Sequence, residues 1–286
     1  MHQKIECISI VVKPGSDEAL QTANELADWL EKRGIRVIGE PLQEEEVSVL
    51  SAHAERACDE ADLVVVLGGD GTILSTARLL GRREVPVLGI NYGSLGYLTE
   101  FRIEEMFVAL EKVLRGDYEI DRRSMLTVEN ETSAGREFIG RVLNDVVVNK
   151  SVLARIIEIE VSFDSFFVNR FRADGLIVST PTGSTAYNLS AGGPIIYPSV
   201  DAIVITPICP FTLTNRPIVI PDSSHVKLRL IDDSSGVMLT LDGQVGKKIT
   251  PEDTIHIHKS SISFALIKPT NRNYFDVLRN KLKWGR

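Results

Sequence analysis

Cysteine is scarce and odd in number, with three in 286 residues: Cys7, Cys58 and Cys209. Residues so far apart make neither a disulfide framework nor a metal knuckle, and they suit a reducing compartment. No apolar run reaches the length of a membrane span. The N-terminus also lacks a charged region followed by an apolar run and a cleavage site. A soluble cytoplasmic protein with no membrane partner is therefore expected. A basic excess is missing too: 32 Lys and Arg stand against 39 Asp and Glu, a net charge of −7. That argues against a nucleic-acid footprint and leaves any polyanionic substrate to local cations or a metal. Several signatures are absent. There is no Gly-x-x-x-x-Gly-Lys-Ser/Thr loop, no Gly-x-Gly-x-x-Gly after a strand and no Gly-x-Ser-x-Gly elbow. There are no repeats and no low-complexity tract.

What is present suffices for two domains and a sizeable core, with 43% hydrophobic and 25% charged residues. The organising stretch is Leu63-Val-Val-Val-Leu67 followed by Gly68-Gly-Asp-Gly-Thr72. Five apolar residues in a row, mostly β-branched, read as a buried strand of a parallel sheet. Two glycines end it. Ile73, Leu74, Ala77 and Leu80 then share a helix face, with Gly81 at the expected C′ position. Asp70 thereby falls at the carboxyl end of a strand, where open α/β sheets bind ligands. Glycines there let a phosphate approach the backbone N–H groups.

Around this unit the pattern repeats. Residues 5–12 read as a strand, 16–34 as a capped amphipathic helix and 35–38 as a second strand. Residues 47–57 read as a helix after the acidic Glu44-Glu45-Glu46, which is taken as a solvated face. Residues 85–90 give a further strand running into a second glycine turn, Asn91 to Gly96, and 103–116 a further helix. Alternation of this kind predicts a doubly wound parallel-sheet α/β domain over residues 1–122.

Near Arg122-Arg123 the pattern changes to strand after strand: 124–129, 142–149, 156–162, 166–171, 176–179, 202–206, 226–231, 237–241 and 254–258. Asp164-Ser165 reads as a hairpin tip, and residues 184–191 as a helical island. The expectation is an antiparallel, sandwich-like β-rich domain over residues 123–286. The last stretch, 262–284, either completes it or returns to the first domain.

Three features of this half carry polar chemistry. Asn144-Asp145 lies inside an apolar strand pattern and needs partners if buried. Thr180-Pro-Thr-Gly-Ser-Thr-Ala-Tyr187 is a hydroxyl- and glycine-rich turn opening a helix, suited to ribose or phosphate oxygens, with an aromatic face at Tyr187. Asp242-Gly243-Gln244 alone reads as a hairpin turn. His256 and His258 alternate along one strand without a nearby third ligand, as ordinary strand histidines do.

Together, Gly68-Gly-Asp-Gly-Thr72, Asn144-Asp145, the Thr180–Tyr187 run and Asp242-Gly-Gln244 resemble the NAD kinase family in order and separation. The first motif is shared with phosphofructokinases and diacylglycerol-type lipid kinases. The antiparallel second half and the lack of a membrane-facing stretch speak against both. The resemblance implies transfer of the ATP γ-phosphoryl group to the 2′-hydroxyl of the adenosine ribose of NAD, with Asp70 as proton acceptor. It implies a phosphate loop of Gly68, Gly69, Gly71 and Thr72. It implies dinucleotide contacts from Asp70, Gly71, Asn144, Asp145, Arg155, Arg172, Asp174, Thr185, Ala186, Tyr187, Asn188, Leu189, Ser190 and Gln244. Asp145 stands where the family usually has glutamate and is shorter by one methylene. A divalent cation, Mg²⁺ or Mn²⁺, is implied as cofactor with ATP as donor, bridging the phosphates without a dedicated set of protein ligands. Assembly as a homodimer or homotetramer through the second domain is also implied.

Overall fold

The computed structural model describes residues 4–38, 60–80, 83–93, 96–150, 155–231, 236–269 and 272–285. The helix expected over 47–57, the acidic triplet, Cys58 and Gly81 lie outside the described residues. The chain divides into two compact units, one of residues 1–122 with 264–286 and the other of residues 123–263.

The first unit is built on strands β1 (Cys7–Val12), β2 (Arg36–Ile38), β3 (Leu63–Leu67), β4 (Pro86–Asn91), β5 (Phe101–Arg102) and β6 (Glu119–Arg123). Its helices are α1 (Asp17–Glu31), α2 (Asp70–Leu79) and α3 (Met106–Leu114). β3 is buried along its whole length, as a strand covered on both faces must be. It pairs in parallel with β1 on one side and β4 on the other. Leu63, Val65 and Leu67 pack with Leu26 and Leu30 of α1 and with Leu110 and Val113 of α3. α2 covers the opposite face, where a Cβ on Gly89 would meet Ile73 Cδ1 at 3.0 Å. Helices on both faces of a parallel sheet make this unit doubly wound. α1 begins where Ser16 Oγ accepts the Ala19 N–H, and the chain turns after it at Gly34, with φ +74°.

The second unit contains β7 (Leu126–Thr132), β8 (Gly135–Val142), β9 (Asp145–Lys150), β10 (Ile157–Phe163), β11 (Phe166–Ala173) and β12 (Gly175–Ser179). After the one-turn helix α4 (Tyr187–Ser190) come β13 (Ala202–Ile208), β14 (Ile218–Pro221), β15 (Val226–Leu230), β16 (Val237–Leu241), β17 (Val245–Lys248) and β18 (Thr254–Lys259). They form two six-stranded sheets, ordered β11-β10-β15-β18-β7-β8 and β14-β13-β12-β9-β16-β17. One apolar core joins them, with Ile159, Phe171, Leu228 and Ile257 from the first and Val146, Val148, Val178, Ile205 and Leu239 from the second. This is the antiparallel sandwich expected.

The final stretch, which the strand pattern left open, belongs to the first unit. β19 (Phe264–Lys268) pairs in parallel with β4, and α5 (Tyr274–Leu282) follows, capped by Asn273. β8, β14 and β17 were not expected. β8 has only Val142 buried among its eight residues, so it carries little hydrophobic alternation to read. Among the described residues no helix is long and apolar enough to cross a membrane.

Candidate active site

In the first unit, the turn after β3 places Asp70 at the first position of α2, with Gly69 as an extended N-cap. A Cβ on Gly68 would come within 2.3 Å of Thr72 Oγ1, so only glycine lets the strand turn this tightly into the helix. Asp70 is half-buried, and its carboxylate reaches the second glycine turn. Oδ1 accepts the Leu98 N–H (3.1 Å), the Thr99 N–H (3.1 Å) and the Thr99 hydroxyl (3.1 Å). Oδ2 accepts one N–H, from Tyr97 at 2.8 Å, and keeps acceptor capacity. Thr99 is fully buried and in turn accepts from Asn91 Nδ2 at 3.1 Å. Gly96 lies against the carboxylate so closely that a Cβ there would stand 1.9 Å from Asp70 Oδ1. The two glycine turns, at the carboxyl ends of the adjacent strands β3 and β4, are thus tied together by one aspartate. Gly71 is exposed beside it and Thr72 is buried.

In the second unit, three strand ends converge. Asp145 opens β9 and stands opposite Ser179, the last residue of β12, while Val146 stands opposite Leu241, the last of β16. Asn144-Asp145 is therefore not inside a strand, as the apolar run suggested, but at its entrance. The reason is Asp242. Its Oδ2 accepts the Leu143 N–H at 3.0 Å, and its Oδ1 accepts those of Asn144 (2.8 Å) and Asp145 (3.1 Å). A side chain takes the bonds that a strand partner would otherwise take. Asp242 itself sits at φ +50°, a left-handed conformation that aspartate tolerates, followed by Gly243 at φ +64°.

The hydroxyl-rich run closes on the same turn. Thr180 Oγ1 donates to Leu143 O at 2.6 Å and accepts the Gly183 N–H at 3.1 Å. A Cβ on Gly183 would lie 2.2 Å from Asn144 O, so glycine is required for this approach. Buried Arg123 reaches Thr182 Oγ1 at 3.5 Å. Thr185 and Ala186 are half-buried, and Tyr187 and Ser190 are exposed, presenting a surface beside the turn. Asn188 differs in being fully buried. Its Nδ2 donates to Ser184 O and Pro194 O, and its Oδ1 accepts from the Thr206 hydroxyl at 2.6 Å. These internal bonds give the side chain the task of holding α4 in place. Leu189 is half-buried, and Gln244 is exposed in the β16–β17 turn.

Asp145 is 4% exposed, and its carboxyl has no hydrogen-bond partner among the described residues. Burial, with the neighbouring Asp242 charge as the lesser cause, pushes its pKa up to about 7. Asp242, by contrast, accepts three backbone N–H groups.

The remaining expected residues lie elsewhere. Gly175 opposes Asn149 while Ser179 opposes Asp145. Asp174 and Asp145 therefore sit at opposite ends of the paired strands, roughly 16 Å apart along them. Asp174 is ion-paired with Lys150 at 2.9 Å. Arg172 is exposed, with its guanidinium 5.0 Å from the centroid of the Phe211 ring. Arg155, also exposed, precedes β10, whose first residue opposes Ala173. One copy of the second unit thus holds two groups of expected site residues, one at each end of the sheet.

Sequence reasoning missed Thr99, Asn91 and Asp242 as holders of the site. The Asp-Gly turn and the second glycine turn were visible, but long-range hydrogen bonds leave no periodicity to read. It also missed the third histidine, because His225 is far from the others in sequence. His225 Nε2 lies 3.0 Å from His256 Nδ1, and its ring centroid is 5.5 Å from that of His258.

Comparison with known proteins agrees with this geometry. Residues 8–118 match the model of the ATP-NAD kinase N-terminal domain, and residues 143–269 that of the ATP-NAD kinase C-terminal domain. The chain belongs to the NAD kinase family. An NAD kinase of Geotalea daltonii is 50% identical over 280 residues, which cover 97% of this chain and 98% of that one. The crystal structure of an Archaeoglobus fulgidus NAD kinase in complex with ATP superposes with a TM-score of 0.77 at 27% identity, covering 97% of this chain and 98% of that one. Yeast NADH kinase, solved with NADH, shares the fold at a TM-score of 0.87 and 24% identity, over 99% of this chain and 88% of that one.

Proposed function

We propose that this chain transfers the γ-phosphoryl group of ATP to the 2′-hydroxyl of the adenosine ribose of NAD, with Asp70 accepting the proton of that hydroxyl. A bond forms between the ribose oxygen and the γ-phosphorus, the bond from that phosphorus to the β,γ-bridging oxygen breaks, and ADP and NADP leave. The observation that carries the role of Asp70 is its placement: it follows the glycine turn at the carboxyl end of β3, and its Oδ2 is committed to one N–H. Such a group can take a proton and orient the attacking oxygen at the same time. Gly68, Gly69, Gly71 and Thr72 form the turn over which phosphate oxygens lie, where the positive end of α2 favours anions.

Among the described residues no group of three or more His, Cys, Asp or Glu side chains is arranged to hold a metal ion. In the proposed reaction Mg²⁺ or Mn²⁺ would be carried by nucleotide phosphates and water, as such ions are in kinases. Such a cation would supply neutralisation of phosphate charge that a chain of net charge −7 does not.

In the second unit, the Asn144-Asp145 turn, Thr185, Ala186, Tyr187, Ser190 and Gln244 receive the dinucleotide, and Leu189 and Asn188 support that surface from beneath. Arg155, Arg172 and Asp174 join a site only if another copy brings them to it, which supports assembly through the second unit. The described cysteines, Cys7 and Cys209, are free thiols, which suits the cytoplasm.

A coupled assay with purified protein, NAD, ATP and Mg²⁺, read by an NADP-specific dehydrogenase, tests the reaction. Product that requires all three components supports it. Saturable NAD binding without product would indicate a non-catalytic regulator instead.

A further inference from the structure

Asp145 and Asp242 lie beside one another at the end of the second-unit sheet with opposite provision for charge. Asp242 is 7% exposed, and its two carboxylate oxygens accept three backbone N–H groups at 2.8 to 3.1 Å, from Leu143, Asn144 and Asp145. Asp145 is 4% exposed, and its carboxyl receives no donor among the described residues. The neighbouring strand end and loop offer hydroxyls: Ser179 Oγ donates to Asn144 O and Thr180 O, and Thr180 Oγ1 to Leu143 O. Buried Arg123, the last residue of β6, reaches Thr182 Oγ1 on that loop. The Asp242 charge acts on Asp145 repulsively, as the lesser cause beside burial. Of two buried carboxyls side by side, the one without donors holds its proton to a higher pH than an ordinary aspartate.

We propose that Asp242 is a positioning residue for dinucleotide binding: it clamps the Asn144-Asp145 turn through three N–H bonds and, by taking those donors, leaves the buried Asp145 carboxyl beside it to act as a hydrogen-bond donor. Asp145 then donates to an acceptor oxygen or nitrogen of the dinucleotide, where an ionised carboxylate would accept from a ribose hydroxyl. The pKa of about 7 for Asp145 places the switch between the two forms near neutrality. The proposal rests on the reading of this turn as a dinucleotide contact.

Two measurements test it together. One is the carboxyl ¹³C resonance of Asp145 followed by NMR in the free protein; the other is NAD affinity by calorimetry from pH 5.5 to 8.5. In the native protein both should change with one midpoint near neutrality, affinity falling about tenfold per pH unit above it, because only the protonated fraction is competent. Asp242→Asn should move both midpoints down, since the neutral amide removes the repulsion, although it keeps one acceptor oxygen and sets an NH₂ group in place of the other. Asp145→Asn, whose amide donates at every pH, should bind NAD with affinity that is flat across the range. It keeps the proposal testable if Asp242→Asn does not fold. An ordinary carboxylate midpoint for Asp145, or midpoints that Asp242→Asn leaves in place, would overturn the proposal. A resonance that titrates as expected beside NAD affinity independent of pH would leave the carboxyl pair standing and overturn its role in binding. Failure of the dinucleotide reading itself would instead appear as no NAD binding at any pH.

Discussion

Asp70 does two jobs with one carboxylate, and they separate in kinetics. Replacing it by asparagine removes the proton acceptor but leaves one oxygen able to accept from residues 97–99. Turnover should then fall by about 10²- to 10⁴-fold, the usual worth of general-base catalysis. NAD affinity by calorimetry should stay within a few-fold, because the dinucleotide contacts proposed on the second unit are untouched. A near-normal rate in Asp70→Asn would falsify the assigned role. Glycines at this scale are equally specific. Gly183→Ala would press a methyl to 2.2 Å from Asn144 O, against backbone that has no rotamer to give way. A loss of about 1–3 kcal/mol in urea unfolding is expected, with weaker NAD binding. Gly69→Ala meets nothing within 4 Å at a φ of −93° and should leave stability nearly unchanged, which makes it the control.

Among the elements, the sheets of the second unit carry two buried titrating groups whose effects on stability run in opposite directions. His225 and His256 share a hydrogen bond that has room for one proton, and burial, followed by neighbouring positive charge, lowers both of their pKa values. The folded state thus takes up protons less readily than the unfolded one. The stability contribution is full above about pH 6.5, the unfolded value, and is lost as pH falls through the folded values. Urea midpoints measured from pH 7.5 to 5 should drop in the native protein, and less steeply in His256→Gln. Equal slopes in the two proteins would remove the histidine pair as the cause. Asp145 has the opposite sign. Its pKa is raised, so the folded state binds the proton more tightly. Its favourable contribution is complete below about pH 3.9 and disappears as pH rises towards 7. Above pH 7, Asp145→Asn should therefore be more stable than the native protein by a few kcal/mol, at most roughly 4. A variant of equal or lower stability at pH 8 would show that the carboxyl carries no such penalty.

At the scale of the whole molecule, the separation of Asp145 from Arg172 and Asp174 becomes a question of assembly. If two copies complete one site, Asp145→Ala and Asp174→Ala should each be inactive alone and regain activity when co-expressed, since mixed assemblies contain sites with both residues native. Absence of recovery in assemblies shown by mass to be mixed would place the Asp174 group outside the site. The same scale shows how far sequence reading extends. The β3 run and its glycine turn were legible because five buried apolar residues and a helical repeat are local signals. The entrance of β9 was not legible, because Asp242 displaces a strand bond from 97 positions away. β19 was invisible as a member of the first sheet for a similar reason: its partner β4 precedes it by more than 170 residues.

By itself the sequence determined the class of each half, the glycine turn with Asp70 and the family, since periodicity and short motifs are written in neighbouring residues. Tertiary structure alone decided what Asp70 holds, that Asn188 is internal, and that His225 joins His256. It also decided that Asp242 takes three N–H donors while the Asp145 carboxyl receives none among the described residues. Each of these is a contact between distant residues. Its energy depends on burial and on the competition for a limited set of N–H groups, and neither exists until the chain has folded.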